Sequence, residues 1–476
     1  MGSYTVHRVS MQGVPPISST AARKLDHPYG SFASYHPDRL MEHHFAAPAH
    51  WSDAALAVEL AIREFERRHG PFASRVGWVL QRSESIGSST IEDVNPSLRR
   101  VARAEAVTRN GGDPYDDPAN EAIGNIAATR LAAEIGDAQG PVTLDDLLSI
   151  HSALMDHTSK PEVGGHLRPG WVRVGGVLGG YPPPAYVAPP AEEVPELMDD
   201  LLAYINTTHH HPVTAAAVAH VQFESIHPFR DGNGRAGRAL VQAILRKGGI
   251  TRYTTPPISA VLAFNRDEYV DALAASRFEG SAGSPDQVNS LDRWVSLFSS
   301  AAEASCYYAD GLIARIDTVA SKWDEKLRSR RGSAARRIVE RLPEMPVFSV
   351  RSMADLSGTS SASAYRAIER LTAAGIIAPV QGKHRRSGLY EAPEILDIFK
   401  DGSEQDEVFA QEITELVAGP SLGGAHTKKE KAAEAIRLRR AGNTHRAIGE
   451  TLGMSTSWAQ GVTKGIARGK HPNRSR

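Results

Sequence analysis

Twelve consecutive residues, His227-Pro-Phe-Arg-Asp-Gly-Asn-Gly-Arg-Ala-Gly-Arg238, constrain this 476-residue chain more than any other feature. They sit between a helical run ending near Ile226 and another beginning near Gly234. Gly232 and Gly234 let successive backbone N–H groups converge on one anion, and the following helix aims its N-terminus at the same point. Arg235 and Arg238 fall three apart on one helix face, spaced to clamp neighbouring phosphates by bidentate bonds. Asp231 offers a hard oxygen ligand for a magnesium ion bridging those phosphates. The Asn233 side-chain amide suits a further phosphate oxygen. His227, four residues before Asp231, can take a proton from an incoming hydroxyl near neutral pH. A lone histidine reads as a core residue and a lone arginine pair as surface charge. Together in twelve residues, base, metal ligand, nest and clamp predict a phosphate-handling active site.

The remainder of the chain bounds the setting. Its length suggests two to four domains. No apolar run reaches the roughly 18 residues needed to cross a bilayer, so no membrane partner is expected. The first twenty residues lack a basic start followed by an apolar core, and no secretory signal is expected. Cys306 is the only cysteine, which rules out an intramolecular disulfide and a cysteine-based zinc site. These features point to a cytoplasmic protein. Net charge is near zero but unevenly placed. Residues 401–420 carry six acidic residues and no Lys or Arg, whereas residues 426–476 carry twelve Lys/Arg against Glu430, Glu434 and Glu450. A basic terminal block suits a polyanion; for the last eight residues a solvated tail is the simpler reading.

Along the chain, residues 1–50 show weak periodicity and read as an irregular arm. Leu56, Val58, Leu60, Ala61 and Phe65 recur at helical spacing within Ser52–His69. Further helices are predicted at Val76–Glu84, 118–137 and 143–157, the last capped by Thr143 or Asp145. Residues 163–190 change to Gly, Pro and Val, and Trp171–Val174 with Ala185–Val187 predict a small hairpin. Helices resume at Glu193–Asn206, Val213–Ser225, Ala236–Lys247, Asp267–Phe278, Ser290–Ala304 and Tyr307–Lys326. His209-His-His211 reads as solvated, since adjacent histidines rarely converge on one ion, and His220 as a core histidine.

The twelve-residue string resembles the signature of the Fic family, His-Pro-Phe-x-Asp/Glu-Gly-Asn-Gly-Arg-x-x-Arg, at every fixed position. The resemblance runs from about residue 55 to 310 and includes Ala219-His-Val-Gln-Phe-Glu-Ser-Ile226. It implies an all-α core carrying a small β-hairpin flap. It implies transfer of AMP from ATP to a Ser, Thr or Tyr hydroxyl of a protein target, with release of pyrophosphate. His227 would be the general base and Asp231 the magnesium ligand. Gly232, Asn233 and Gly234 would bind phosphate, and Arg235 and Arg238 would contact the β/γ-phosphates. The flap would fall on Val172, Arg173, Val174, Tyr186 and Val187, where an edge strand captures an extended target segment by main-chain pairing. Ser88-Ser-Thr-Ile-Glu-Asp93 resembles the family's inhibitory motif, Ser/Thr-x-x-x-Glu-Gly/Asn, with Asp93 departing at the last place. By that resemblance Ser88 and Glu92 form an inhibitory segment in which Glu92 pairs with Arg238, removing half of the γ-phosphate clamp.

Two smaller modules are expected beyond the core. Residues 333–396 resemble an α+β winged helix-turn-helix. Ser360–Ala374 would be its recognition helix, bearing Tyr365, Arg366 and Arg370, and Lys383, His384, Arg385 and Arg386 would form its wing. Residues 426–470 resemble a small all-α helix-turn-helix in which Ser455 caps a helix presenting Ser457, Gln460 and Lys464. Its basic charge favours DNA, with homodimerisation as the alternative use. The organisation is then an arm (1–50), a catalytic domain (51–326), the winged module (333–396), an acidic linker (397–425), the helix-turn-helix (426–470) and a basic tail (471–476). The leading function is an autoinhibited protein adenylyltransferase using ATP and magnesium. A DNA-binding or toxin-like regulator with a Fic sensor core is the alternative, as is AMP removal by the same site.

Overall fold

The computed structural model describes residues 2–8, 31–42, 47–70, 73–112, 117–174, 186–254, 256–280, 284–327, 330, 332–381, 388–398, 411–417 and 444–446. The chain divides into two compact units, Met1–Lys400 and Asp401–Arg476. The second is described only for a short helix at 411–417 and for residues 444–446. The wing residues 383–386 and the predicted residues Ser455, Ser457, Gln460 and Lys464 lie outside the described residues.

The first unit is mostly helical, with three small antiparallel sheets. It opens with β1 (Gly2–Arg8) paired to β2 (Ser31–Pro37). These paired strands replace the irregular arm expected at 1–50. Tyr35 on β2 is fully buried and supplies the packing that a weakly periodic sequence did not advertise. Next come α1 (Ala49–His69), α2 (Ala73–Ile91), α3 (Leu98–Arg109), α4 (Asp117–Asp137) and α5 (Leu144–Met155). Helix α1 buries Trp51, Ala55, Val58, Ile62 and Phe65, while Leu56 and Leu60 face solvent. The apolar stripe is therefore rotated from the predicted one, because the 51-55-58-62-65 spacing fits one face better than 56-60. Thr143 caps α5 in a reciprocal capping box with Asp146.

A short pair, β3 (Arg173–Val174) and β4 (Tyr186–Val187), follows. Strand β4 packs against β2, with the Tyr35 and Tyr186 rings edge-to-face at 6.4 Å. After α6 (Val194–Thr207), helices α7 (Pro212–Ile226) and α8 (Asn233–Lys247) form the centre of the unit. Every residue from Val213 to Ile226 is buried, the polar Thr214, His220, Gln222, Glu224 and Ser225 included, so the helix is covered on all sides. Helices α9 (Ile258–Phe264) and α10 (Arg266–Ala275) lead to α11 (Pro285–Lys326), a single 42-residue helix where two were expected.

The rest of the unit comprises α12 (Ala334–Val339), β5 (Val347–Ser349), α13 (Val350–Ser357), α14 (Ser361–Ala373), β6 (Ala378–Pro379), β7 (Leu389–Glu391) and α15 (Pro393–Leu396). The strands form one antiparallel sheet in the order β5-β7-β6. This segment does not stand apart from the helical core. Val347, Val380, Leu389 and Leu396 bury themselves against Leu98, Ala102 and Ala106 of α3, and Glu391 takes Arg99 at 2.5 Å and Arg103 at 2.8 Å.

Candidate active site

The turn between α7 and α8 is held from several sides. Helix α7 ends at His227, whose backbone is left-handed (φ 51°, ψ 60°). A non-glycine residue there costs on the order of 1 kcal/mol and persists only where surroundings over-determine it. Gly232 takes a second left-handed turn (φ 76°) and caps α8. Asn233 is buried; its Oδ1 accepts from Phe229 N at 2.8 Å and its Nδ2 donates to Phe229 O at 2.9 Å. That amide therefore closes the loop with its oxygen and one of its two N–H donors. The Asn233 backbone still belongs to the open end of α8.

His151 on α5, not singled out in the sequence, braces the same loop. Its ring stacks on Phe229 with centroids 3.7 Å apart. Nδ1 accepts from Gly165 N at 3.1 Å, so Nε2 carries the proton and donates to Asp231 O at 2.9 Å. Burial is the main reason its pKa falls to about 4.

His227 is largely enclosed. Its Nδ1 lies 3.3 Å from Glu224 O and 3.7 Å from Glu224 Oε2. A proton on Nδ1 directed at that carbonyl leaves Nε2 free to accept one. Burial, and after it the charges of Arg277 and Arg168, depress its pKa to about 4, so the ring is neutral at pH 7. Beneath it the Glu224 carboxyl is buried, and Oε1 has no hydrogen-bond partner. Burial and then the neighbouring Glu92 raise its pKa to about 7.

Asp231 is half-exposed at the mouth. It accepts from Gly232 N at 2.8 Å and from Lys160 Nζ at 2.9 Å. Burial opposes its ionisation, but Lys160 and Arg235 outweigh burial and lower its pKa. Arg235 bonds Glu121 at 2.7 Å.

Arg238 turns the other way, toward the end of α2. Its Nε donates to Ser88 Oγ at 3.0 Å, and its Nη2 to Ser88 O at 2.8 Å and Glu92 Oε1 at 2.9 Å. Ser88 and Glu92 are one helical turn apart and converge on one guanidinium. Desolvation opposes ionisation of Glu92, yet Arg238 holds its carboxyl below the usual range. Each of the two arginines is held by a carboxylate, Arg235 by Glu121 and Arg238 by Glu92. Glu92 also stands at the mouth of α8. A Cβ built on Gly234 would overlap Glu92 Oε1 and meet Arg238 Nη1 at 3.0 Å. The carboxylate thus lies against the first turn of α8, where the sequence reading expected a phosphate.

The flap residues divide by face. Val172 and Val174 are partly exposed and Arg173 is exposed, whereas Tyr186 and Val187 are buried. The Tyr186 hydroxyl donates to Glu224 O, and Arg277 stacks over its ring at 3.7 Å. Its side chain therefore braces the core and is not available to a docking target. Among the described residues nothing pairs with the outer edge of β3.

Residues 141–245, from the cap of α5 almost to the end of α8, match the model of the Fic/DOC family. That segment is similar to Fic domains. Over 161 residues it is 33% identical to a protein adenylyltransferase Fic from Aedes aegypti, a match covering 33% of this chain and 29% of that one. The corresponding protein of Drosophila virilis is 33% identical over 136 residues, 28% of this chain and 26% of the relative. The chain thus spans under a third of the length of these curated relatives. A solved Fic family protein from Desulfovibrio desulfuricans G20 aligns with a TM-score of 0.44 and 21% identity, over 76% of this chain and 99% of that chain. Ser88, Glu92 and Arg266 lie outside the matched Fic segment. Arg168, His151 and Lys160 lie within it but carry no spacing signal that sequence reading could have used.

Proposed function

We propose that this protein is an adenylyltransferase that moves AMP from ATP to a protein hydroxyl and rests in a self-inhibited state. The observation that carries the reading is the neutral His227 ring at the turn that leads into α8, with Arg238 engaged by Glu92. The target oxygen attacks the α-phosphorus, the bond from that phosphorus to the β-phosphate bridging oxygen breaks, and pyrophosphate leaves with its electron pair. The hydroxyl proton passes to His227 Nε2. Donors at the head of α8 meet developing phosphate charge without reorganising. One hard, half-exposed carboxylate at the mouth fits magnesium, which takes one or two carboxylates and completes its shell with phosphates and water. Asp231 would hold it after release from Lys160, and the ion would neutralise phosphate charge. Exposed β3 would pair with an extended target segment.

Incubation of the full chain with labelled ATP and magnesium tests the reading. Glu92→Gly should raise incorporation of AMP into protein, and His227→Ala in that background should abolish it. Incorporation indifferent to His227 would sink the proposal.

A second reading concerns residues 333–396. The order of short helices and strands, with β5-β7-β6 antiparallel, supports a winged helix-turn-helix. Helix α14 exposes Tyr365, Arg366 and Arg370 on one face, which suits a DNA groove. Salt-sensitive binding of duplex DNA, weakened by Arg366→Ala/Arg370→Ala and unaffected by His227→Ala, is the expected result. A cytoplasmic setting belongs to the same reading and is supported by the single, buried Cys306.

A further inference from the structure

Arg168 is almost wholly buried, and among the described residues no carboxylate forms an ion pair with it. A buried guanidinium without a counter-ion costs several kcal/mol, so its return must come from elsewhere. All its side-chain bonds go to main-chain oxygens. Nε donates to His227 O at 2.8 Å, Nη1 to Gly170 O at 2.7 Å, and Nη2 to Pro189 O at 2.6 Å and Ile226 O at 3.3 Å. Its own amide donates to Pro228 O at 2.9 Å.

These acceptors fall in two groups. Ile226, His227 and Pro228 are the end of α7 and the left-handed turn that presents the histidine. Carbonyls there have no intrahelical partner, and a cation suits them. Gly170 and Pro189 are the two roots of the flap, one just before β3 and the other just after β4. A rigid planar fork can hold both groups at fixed separation, and an ammonium cannot. The Tyr186 hydroxyl, donating to Glu224 O, makes a second tie between the flap and the same helix end. The Tyr186 ring meets the His227 ring edge-on, with centroids 6.4 Å apart. The nucleotide side of the site is secured by other bonds, from Asn233 to Phe229 and from His151 to Asp231.

We infer that Arg168, seconded by Tyr186, is a positioning residue that sets the flap in register with His227, so that a hydroxyl carried on the flap arrives at the base. The inference rests on the adenylyl-transfer reading and adds to it the element that aligns the two reactants. It separates two properties that a merely structural arginine would lose together. Nucleotide affinity depends on α8 and its turn, whereas transfer depends on alignment, and a misplacement of about 1 Å can cost about 100-fold in rate.

The experiment uses the full chain carrying Glu92→Gly as parent. Arg168→Lys and Tyr186→Phe are each made in that background. Affinity for a non-hydrolysable ATP analogue with magnesium, the rate of AMP incorporation and the melting temperature are measured for each. Arg168→Lys should bind the analogue within about twofold of the parent while incorporation falls at least about tenfold; Tyr186→Phe should show the same split, smaller. Proportional loss of affinity and incorporation would assign Arg168 to the scaffold alone and overturn the inference, as would unchanged incorporation. If Arg168→Lys shows no cooperative melt, Tyr186→Phe decides by the same two outcomes. A parent that transfers no AMP would instead bring down the adenylyl-transfer reading, and this inference with it.

Discussion

Asp93 occupies the position after Glu92 where the resembling motif has Gly or Asn. Its backbone is left-handed (φ 62°), a conformation that Gly, Asn and Asp tolerate better than other residues. Asp is thus a workable substitute, and it brings a carboxylate that Arg266 takes at 2.8 Å. The same arginine donates to Ile91 O at 2.7 Å, so one side chain latches the end of α2 from both sides of Glu92. Arg266→Ala should loosen this turn and raise AMP incorporation, though less than Glu92→Gly does; the labelled-ATP assay checks it. His151 makes a prediction with a definite sign. Its neutral form is favoured in the fold, where protonating Nδ1 would oppose Gly165 N–H. The pKa falls from 6.5 in the unfolded chain to about 4, so its stabilisation is complete above pH 6.5 and is lost as pH falls toward 4. His151→Phe keeps the stack on Phe229 and should melt lower than wild type at pH 7, with a shallower decline on acidification. Residue identity and spacing made His227, Asp231, Gly232, Gly234 and both arginines legible. They did not reveal how Asn233 and Tyr186 orient, because side-chain direction is set by tertiary neighbours such as Phe229 and Glu224.

At the scale of elements, legibility followed length and period. Long helical runs such as α4 and α6 were predicted within a residue or two of their observed ends. Helix α9 was missed because seven residues give under two turns of periodicity, and β5 because three residues between Pro346 and a helix cap carry no alternation. The two helices expected over 290–326 are one, since nothing at Ser305 and Cys306 breaks a helix. Strand β2 owes its packing to a distant partner, Tyr186, which local pattern does not report. Helix α3, also unforeseen, follows α2 in the chain and is tied to the sheet β5-β7-β6 through Glu391. That carboxylate is buried between Arg99 and Arg103. Replacing both arginines by Ala would leave it without a counter-charge, at a cost of about 3 kcal/mol. Denaturant unfolding should show the loss, and Glu391→Gln in the same background should recover part of it.

For the whole molecule, the first unit runs to Lys400 and includes the sheet β5-β7-β6, although composition had suggested a boundary near residue 330. Leu98, Ala102 and Ala106 give no sign in sequence that Val347, Val380, Leu389 and Leu396 cover them. A chain ended at residue 333 would expose these residues with the half-buried Trp78. It should melt lower than the full chain and bind a hydrophobic dye. Melting unchanged by that truncation would contradict the packing described for α3.

At Gly234 a Cβ would run into the Glu92 carboxylate, so that carboxylate lies against the head of α8. A carboxylate fixed to its own chain competes at an effective concentration on the order of millimolar or more. A free nucleotide displaces it once its concentration relative to its own Kd exceeds the tether's effective concentration relative to the carboxylate's. In the proposed enzyme, the resting contact therefore works as a threshold set against the nucleotide pool: a depleted pool leaves the latch closed, and a replete one opens it, with no second ligand required. Weakening the tether, through the turn at Asp93, lowers that threshold without touching the chemistry.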